Sequence, residues 1–133
     1  MNQILVVDDE PNIRRMIVEL LGPLVDKIDT ASGGREALAL AAEKEYGLVL
    51  LDLKMPGMDG LDVLCRLREI RPRVPVIIMT AYGTTQSAIA AVRMGRVLDY
   101  LDKPFDPDRL QRMVRHVFDP KQIERQRQRD HAQ

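Results

Sequence analysis

The stretch Leu48-Val49-Leu50-Leu51-Asp52-Leu53-Lys54-Met55-Pro56-Gly57-Met58-Asp59-Gly60 constrains the fold more than any other part of the chain. Four consecutive apolar residues run into a carboxylate, and a Pro/Gly-rich turn follows at once. A run this short reads as a strand. With no polar residue alternating into it, the strand is covered on both faces, as in a parallel sheet between helices. Asp52 then stands at the carboxyl end of the strand, the edge where ligands and chemistry collect in open α/β sheets. A carboxylate placed there costs free energy unless a cation or hydrogen-bond donors meet it.

Three further apolar runs end in groups that can do so. Ile4-Leu5-Val6-Val7 leads into Asp8-Asp9-Glu10, Val76-Ile77-Ile78-Met79 into Thr80-Ala81, and Val97 to Leu101 into Asp102-Lys103-Pro104. As parallel strands of one sheet, the four would bring a carboxylate pair, a lone carboxylate, a hydroxyl and an ammonium to one edge. Such clustering is characteristic of functional sites. Each group alone has a plainer explanation: Asp8-Asp9 as acids favouring a helix N-terminus, Thr80 as a strand-end hydroxyl, Lys103 as a surface charge. Their convergence on Asp52 favours chemistry.

Between these runs the periodicity is helical. Pro11 suits a first helical turn, and Ile13, Ile17, Leu20, Leu21 and Leu24 recur at helix spacing until Gly22-Pro23 ends or kinks the helix. Lys27-Ile28-Asp29-Thr30 alternates in the manner of an edge strand. After Ser32-Gly33-Gly34, Arg35 to Lys44 reads as an alanine-rich helix with Ala37, Leu38 and Ala41 inward. Gly60 to Ile70 offers the stripe Leu61, Leu64, Leu67 and Ile70, stopped by Arg71-Pro72-Arg73. Thr84-Thr85 can cap a fourth helix carrying Ala88, Ile89, Val92 and Met94, ended by Gly95. Asp106-Pro107 opens a fifth with Leu110, Met113, Val114 and Val117 inward. Strand-then-helix five times over predicts an α/β domain with a doubly wound, five-stranded parallel sheet and five helices.

Asp8-Asp9, Asp52 with Lys54-Met55-Pro56-Gly57-Met58-Asp59-Gly60, Thr80-Ala81, Tyr100 and Lys103-Pro104-Phe105 together resemble the motif set of the receiver domain of two-component response regulators, which has a flavodoxin-like fold. The likeness covers about residues 1 to 118. Its segments around Thr80 and Tyr100 look most like receivers of enhancer-binding transcriptional activators. The resemblance implies a phosphorylation-activated switch rather than an enzyme, with Asp52 as phosphoacceptor and Asp52, Thr80 and Lys103 as the residues of phosphoryl chemistry. It implies Mg2+ held by Asp9, Asp52 and the backbone carbonyl of Lys54, with Asp8 acting through a water. It also implies a cis peptide bond before Pro104. Thr80 and Tyr100 would be the switch pair that reshapes the face of the fourth helix, fifth strand and fifth helix. The implied partners are a sensor histidine kinase or phosphotransfer protein, and a phosphorylation-dependent homodimer through that face. Read for itself, Tyr100 has a plain alternative as a half-buried strand aromatic.

Magnesium also suits the residues themselves, because a hard cation with oxygen ligands relieves the repulsion of gathered carboxylates. Lys54 and Tyr82, two residues after Asp52 and Thr80, offer no carboxylate or amide to orient an attacking water, so a phosphoryl group on Asp52 is expected to hydrolyse slowly.

The chain departs from the receiver pattern at one place: Gly95-Arg96-Val97-Leu98-Asp99-Tyr100 is one residue longer than usual. Because Tyr100 keeps its spacing to Lys103, the extra residue must be absorbed between Gly95 and Leu98. A haloacid-dehalogenase-type phosphatase would also use a strand-end Asp, but it places its general acid two residues later, where Lys54 stands. A nucleotide-binding module would need a phosphate-cradling loop where Asp8-Asp9-Glu10-Pro11 is acidic.

At 133 residues the chain suits one domain, expected over 1–119, followed by a polar tail or start of a linker over 120–133. Twenty basic and 20 acidic residues cancel, so no global field favours nucleic acid or a membrane surface, and a cytoplasmic location is expected. Cys65, the single cysteine, has no partner for an internal disulfide. The output stays open in the sequence: an attached transcription-activating domain, a separate target, or a stand-alone phosphorelay role.

Overall fold

The computed structural model describes residues 2–55, 57, 59–80, 90, 93 and 97–119. In chain order the elements are β1 (Gln3–Val7), α1 (Pro11–Leu21), a short 3-10 turn (Gly22–Leu24), β2 (Lys27–Ala31), α2 (Gly34–Glu43), β3 (Leu48–Asp52), α3 (Gly60–Ile70), β4 (Val76–Thr80), β5 (Val97–Asp102) and α4 (Pro107–Val117). The five strands form one sheet in the order β2-β1-β3-β4-β5, every neighbouring pair parallel. The expected helix with Ala88, Ile89, Val92 and Met94, its cap at Thr84-Thr85 and its end at Gly95 lie outside the described residues, as do Pro56, Met58, Ala81, Tyr82, Arg96 and the segment 120–133.

Strand alternation divides the core in two. Leu5 and Val7 of β1, Val49 and Leu51 of β3, and Val76 and Ile78 of β4 point to one side, where Ala37 and Ala41 of α2 and Val63, Leu64 and Leu67 of α3 cover them. Ile4 and Val6, Leu48 and Leu50, Ile77 and Met79 point to the other, against Ile17 and Leu21 of α1 and Leu110 and Val114 of α4. Because the side-chain period of a strand is two, uninterrupted apolar runs are what a sheet covered on both faces requires. The inner stripe of α3 is corrected in one respect: Val63 is buried and Ile70 is exposed, because the helix meets the sheet with its first turns and its last residue overhangs.

Local signals end the helices where chain chemistry dictates. Asp59 and Asp106 cap α3 and α4, their carboxylates accepting from the amides of Leu61 and Asp108 at 3.0 Å each. Pro11 and Pro107 occupy first turns. Gly60 has no room for a side chain, since a Cβ there would lie 2.4 Å from the Cα of Leu53. That close approach folds the loop after Asp52 back onto the strand end, and Gly60 N–H donates to the Leu53 carbonyl at 3.1 Å. Gly57 in the same loop has φ +89°, in the region that favours glycine.

The extra residue before Tyr100 is resolved as a bulge. Val97 pairs with Val76, but Ile77 pairs with Asp99, so Leu98 has no opposite number and is 51% exposed. Beyond the bulge the register is regular, with Thr80 opposite Asp102, so Lys103 still emerges beside the end of β4. Among the described residues no helix is long and apolar enough to cross a membrane.

Candidate functional site

The strand order places the end of β1 beside the end of β3, where the chain's winding reverses, the position at which α/β sheets open a crevice. Asp8 follows β1 and Asp52 ends β3. Asp8 is fully buried, Asp52 is 2% exposed, and Asp9 is half-buried. One carboxylate oxygen from each of the three lies within 4.8 Å of the others. Thr80, at the end of β4, is buried as well. Asp8, Asp9, Asp52, Thr80 and Lys103 are thus gathered at one edge from four strands.

Lys103 reaches the cluster from beyond β5. Its Nζ donates to Asp8 Oδ2 at 2.6 Å and to Asp52 Oδ2 at 3.2 Å, so the shorter contact is with Asp8 and not with the strand-end residue of the central run. The backbone arranges this reach, because Lys103 N–H donates to the Thr80 carbonyl at 2.7 Å. The peptide bond between Lys103 and Pro104 is cis, as the sequence resemblance implied. Asp52 Oδ1 accepts from the backbone N–H of Lys54 at 3.0 Å, while the Lys54 side chain is exposed.

Asp8 has a partner at every polar atom. Its N–H donates to the Ala31 carbonyl at 3.1 Å, its Oδ1 accepts from Glu10 N–H at 2.9 Å, its Oδ2 takes Lys103, and its carbonyl accepts from Arg14 Nη1 at 2.7 Å. Arg14 was not singled out in the sequence. Its signal was there, because residues 14, 17 and 21 share one helix face and Ile17 and Leu21 are its buried members, so a charged residue stands at a core-facing position.

Burial pushes the Asp52 carboxyl up to about 6; the Asp8 charge adds to the rise, while the Lys54 amide and Lys103 oppose it. For Lys103, burial works against the charge, but the hydrogen bond to Asp8 and the attraction of both carboxylates outweigh it and raise the pKa. The three carboxylates and one ammonium sum to a formal charge of −2. An all-oxygen donor set with that imbalance fits a hard divalent cation.

Tyr100, on β5 opposite Ile78, is half-buried and packs against the core on the α2 and α3 side. Phe105 packs on the other core. A second polar cluster, which the sequence did not disclose, lies on β2: Asp29 Oδ2 accepts from Tyr46 Oη at 2.6 Å and from Lys44 Nζ at 3.2 Å.

A family model described as "Response regulator receiver domain" matches residues 4–115. The chain is 42% identical over 117 residues to the regulatory protein AtoC of Escherichia coli, covering 88% of this chain and 25% of that protein. It is 38% identical over 121 residues to the DNA-binding transcriptional regulator NtrC of Salmonella typhimurium, covering 91% and 26%. It therefore spans about a quarter of the length of these curated relatives. Among solved structures, a receiver domain protein (CheY-like) from Methanospirillum hungatei superposes with a TM-score of 0.85 at 26% identity, covering 93% of this chain and 98% of that one. NtrX from Brucella abortus does so with a TM-score of 0.82 at 32% identity, covering 95% and 29%. With the sheet order and the acidic edge in place, these matches settle the family: the chain is a response regulator receiver domain of two-component signalling.

Proposed function

We propose that the chain accepts a phosphoryl group on Asp52 from a phosphohistidine of a sensor kinase or phosphotransfer protein, and that the acyl phosphate switches its output. The observation that carries this is a buried carboxylate meeting an ammonium at 3.2 Å with two more carboxylates alongside. An oxygen of ionised Asp52 attacks phosphorus, the P–N bond to the donor imidazole breaks, and the leaving nitrogen takes a proton. The product is a mixed anhydride carrying about −2 charge. Lys103 is close enough to follow the new charge, and Thr80 stands at the neighbouring strand end to donate to a phosphoryl oxygen.

Asp9 and Asp52, with the Lys54 carbonyl, would hold Mg2+, and Asp8 would contribute through a water while keeping its direct bond to Lys103. When bound, the metal supplies charge neutralisation for the transferring group. Tyr100, half-buried beside β4, is the residue we assign to read Thr80, biasing a two-state face. By analogy with AtoC and NtrC, the output is an attached transcription-activating domain, this segment making no direct nucleic-acid contact of its own, and phosphorylation promotes pairing of two copies through β5 and α4. We assign residues 1–119 to this receiver unit.

Labelling tests the reading directly. Incubated with acetyl phosphate or a phosphorylated kinase and magnesium, the protein incorporates acid-labile phosphate and Asp52→Asn incorporates none; undiminished label on the variant removes Asp52 from its role. The exposed Lys54 offers no carboxylate or amide to a hydrolytic water, so the phosphoryl group is long-lived. Lys54→Asn combined with Tyr82→Glu speeds its loss about tenfold, equivalent to about 1.4 kcal/mol of barrier.

A further inference from the structure

We propose that Arg14 is a positioning residue for the acidic loop, holding the peptide that joins Asp8 to Asp9 so that Asp9 faces the cation site. The inference rests on the metal-assisted reading above and extends it to a residue on α1. Arg14 Nη1 donates to the Asp8 carbonyl at 2.7 Å from a half-buried side chain. That carbonyl belongs to the peptide unit whose other half is the Asp9 amide, and peptide units are planar, so fixing the oxygen fixes the plane from which Asp9 departs. The Asp8 amide is held from the other side by the Ala31 carbonyl at 3.1 Å. Residue 8 is therefore clamped between β2 and α1, while its carboxylate is engaged with Glu10 N–H and Lys103. Asp9 itself is only half-buried, so its peptide is one of the constraints on where its carboxylate points.

The charge of Arg14 makes this role testable by sign. A guanidinium bound to the Asp8 carbonyl adds positive charge beside the acidic loop, so on Coulomb grounds its removal strengthens metal binding. A positioning role predicts the reverse. Calorimetric titration of Mg2+ into the wild type, Arg14→Ala, Arg14→Lys and the neighbouring exposed Arg15→Ala reads the sign. The expected result is an affinity about tenfold weaker in Arg14→Ala, partly recovered in Arg14→Lys, and unchanged or slightly tighter in Arg15→Ala.

A second measurement uses the metal-free protein. Amide hydrogen exchange in Arg14→Ala is expected to accelerate about tenfold at Asp9 and Glu10 while the β3 amides keep their protection. Tighter or unchanged Mg2+ binding in Arg14→Ala with unchanged exchange at Asp9 and Glu10 overturns the proposal. So does an acceleration spread evenly over β1 and β3, which marks a general loss of stability. If the wild type takes up no Mg2+, the metal reading fails, and the exchange experiment still decides whether Arg14 holds the loop.

Discussion

Two aspartates of the sheet, on strands separated by β1, have opposite fates. Asp52 ends the buried central strand β3, and burial raises its carboxyl to about 6. Asp29 lies on the edge strand β2, and its pKa is lowered, first by the hydrogen bond from Tyr46 and then, against a desolvation cost, by Lys44. The residue type is the same and each has a lysine at 3.2 Å. The difference is company. Asp29 takes hydrogen bonds from two side chains and only burial raises it, whereas Asp52 shares its ammonium with Asp8 and lies within reach of Asp9. One arrangement compensates its carboxylate; the other leaves a carboxylate under-compensated, which is what the proposed cation and phosphoryl chemistry at Asp52 calls for.

The sharpest way to break that comparison is pH, in the presence of a chelator. For Asp52 the folded value is about 6 against an ordinary value of 3.8, so between those values the folded chain holds a proton that the unfolded chain releases. Its contribution to stability is present at about pH 4 and is lost as pH rises through 6. At pH 7.5 the ionised group costs roughly 3 kcal/mol. Asp52→Asn is therefore expected to be more stable than the wild type at pH 7.5, by about 2 kcal/mol once the weakened Lys103 contact is counted, the gap closing toward pH 4. Asp29→Asn is expected to behave oppositely: less stable at neutral pH, the deficit shrinking as acid protonates Asp29 in the wild type. Urea titrations of the three proteins across pH decide it, and equal gaps at both ends of the range refute the contrast.

Magnesium sharpens the comparison from the other side. At about a hundredfold excess over its dissociation constant it stabilises the folded chain by about 2.7 kcal/mol. Asp9→Ala is expected to lose most of that gain and Asp29→Ala to keep it. Thermal melts with magnesium and with chelator read this, and identical melts in the wild type would remove the metal site.

The smallest effect belongs to the Asp29 cluster alone. Tyr46→Phe removes the 2.6 Å hydrogen bond and is expected to cost about 1 to 2 kcal/mol at neutral pH, with phosphate labelling unchanged. A labelling defect in this variant would show that the two regions are coupled.

Much of this domain was legible because its strands are short apolar runs and its helices carry apolar stripes, signals that neighbouring residues state locally. The runs at Ile4, Leu48 and Val76 all became sheet-centre strands, and Lys27 to Thr30 became an edge as its alternation implied. Asp8, Asp52, Thr80 and Lys103 could be placed at one edge because each follows the end of such a run. The stripe on α3 was misjudged at Ile70 and Val63 because periodicity gives a face but not where along its length the helix leaves the sheet.

The sequence by itself thus determined the architecture and the set of groups at the acidic edge, since both follow from period and position along the chain. Tertiary structure decided who meets whom. Lys103 lies 95 positions from Asp8 and takes it at a shorter distance than Asp52, an outcome of strand order and side-chain reach that no local pattern encodes. The grip of Arg14 on the Asp8 carbonyl and the bond between Tyr46 and Asp29 arise in the same way. The sequence required one residue too many before Tyr100, and pairing against β4 selected Leu98 as the one left out. Contacts of this kind depend on the geometry of a sheet already assembled, because hydrogen bonds of about 3 Å are fixed by positions that only the packed chain holds.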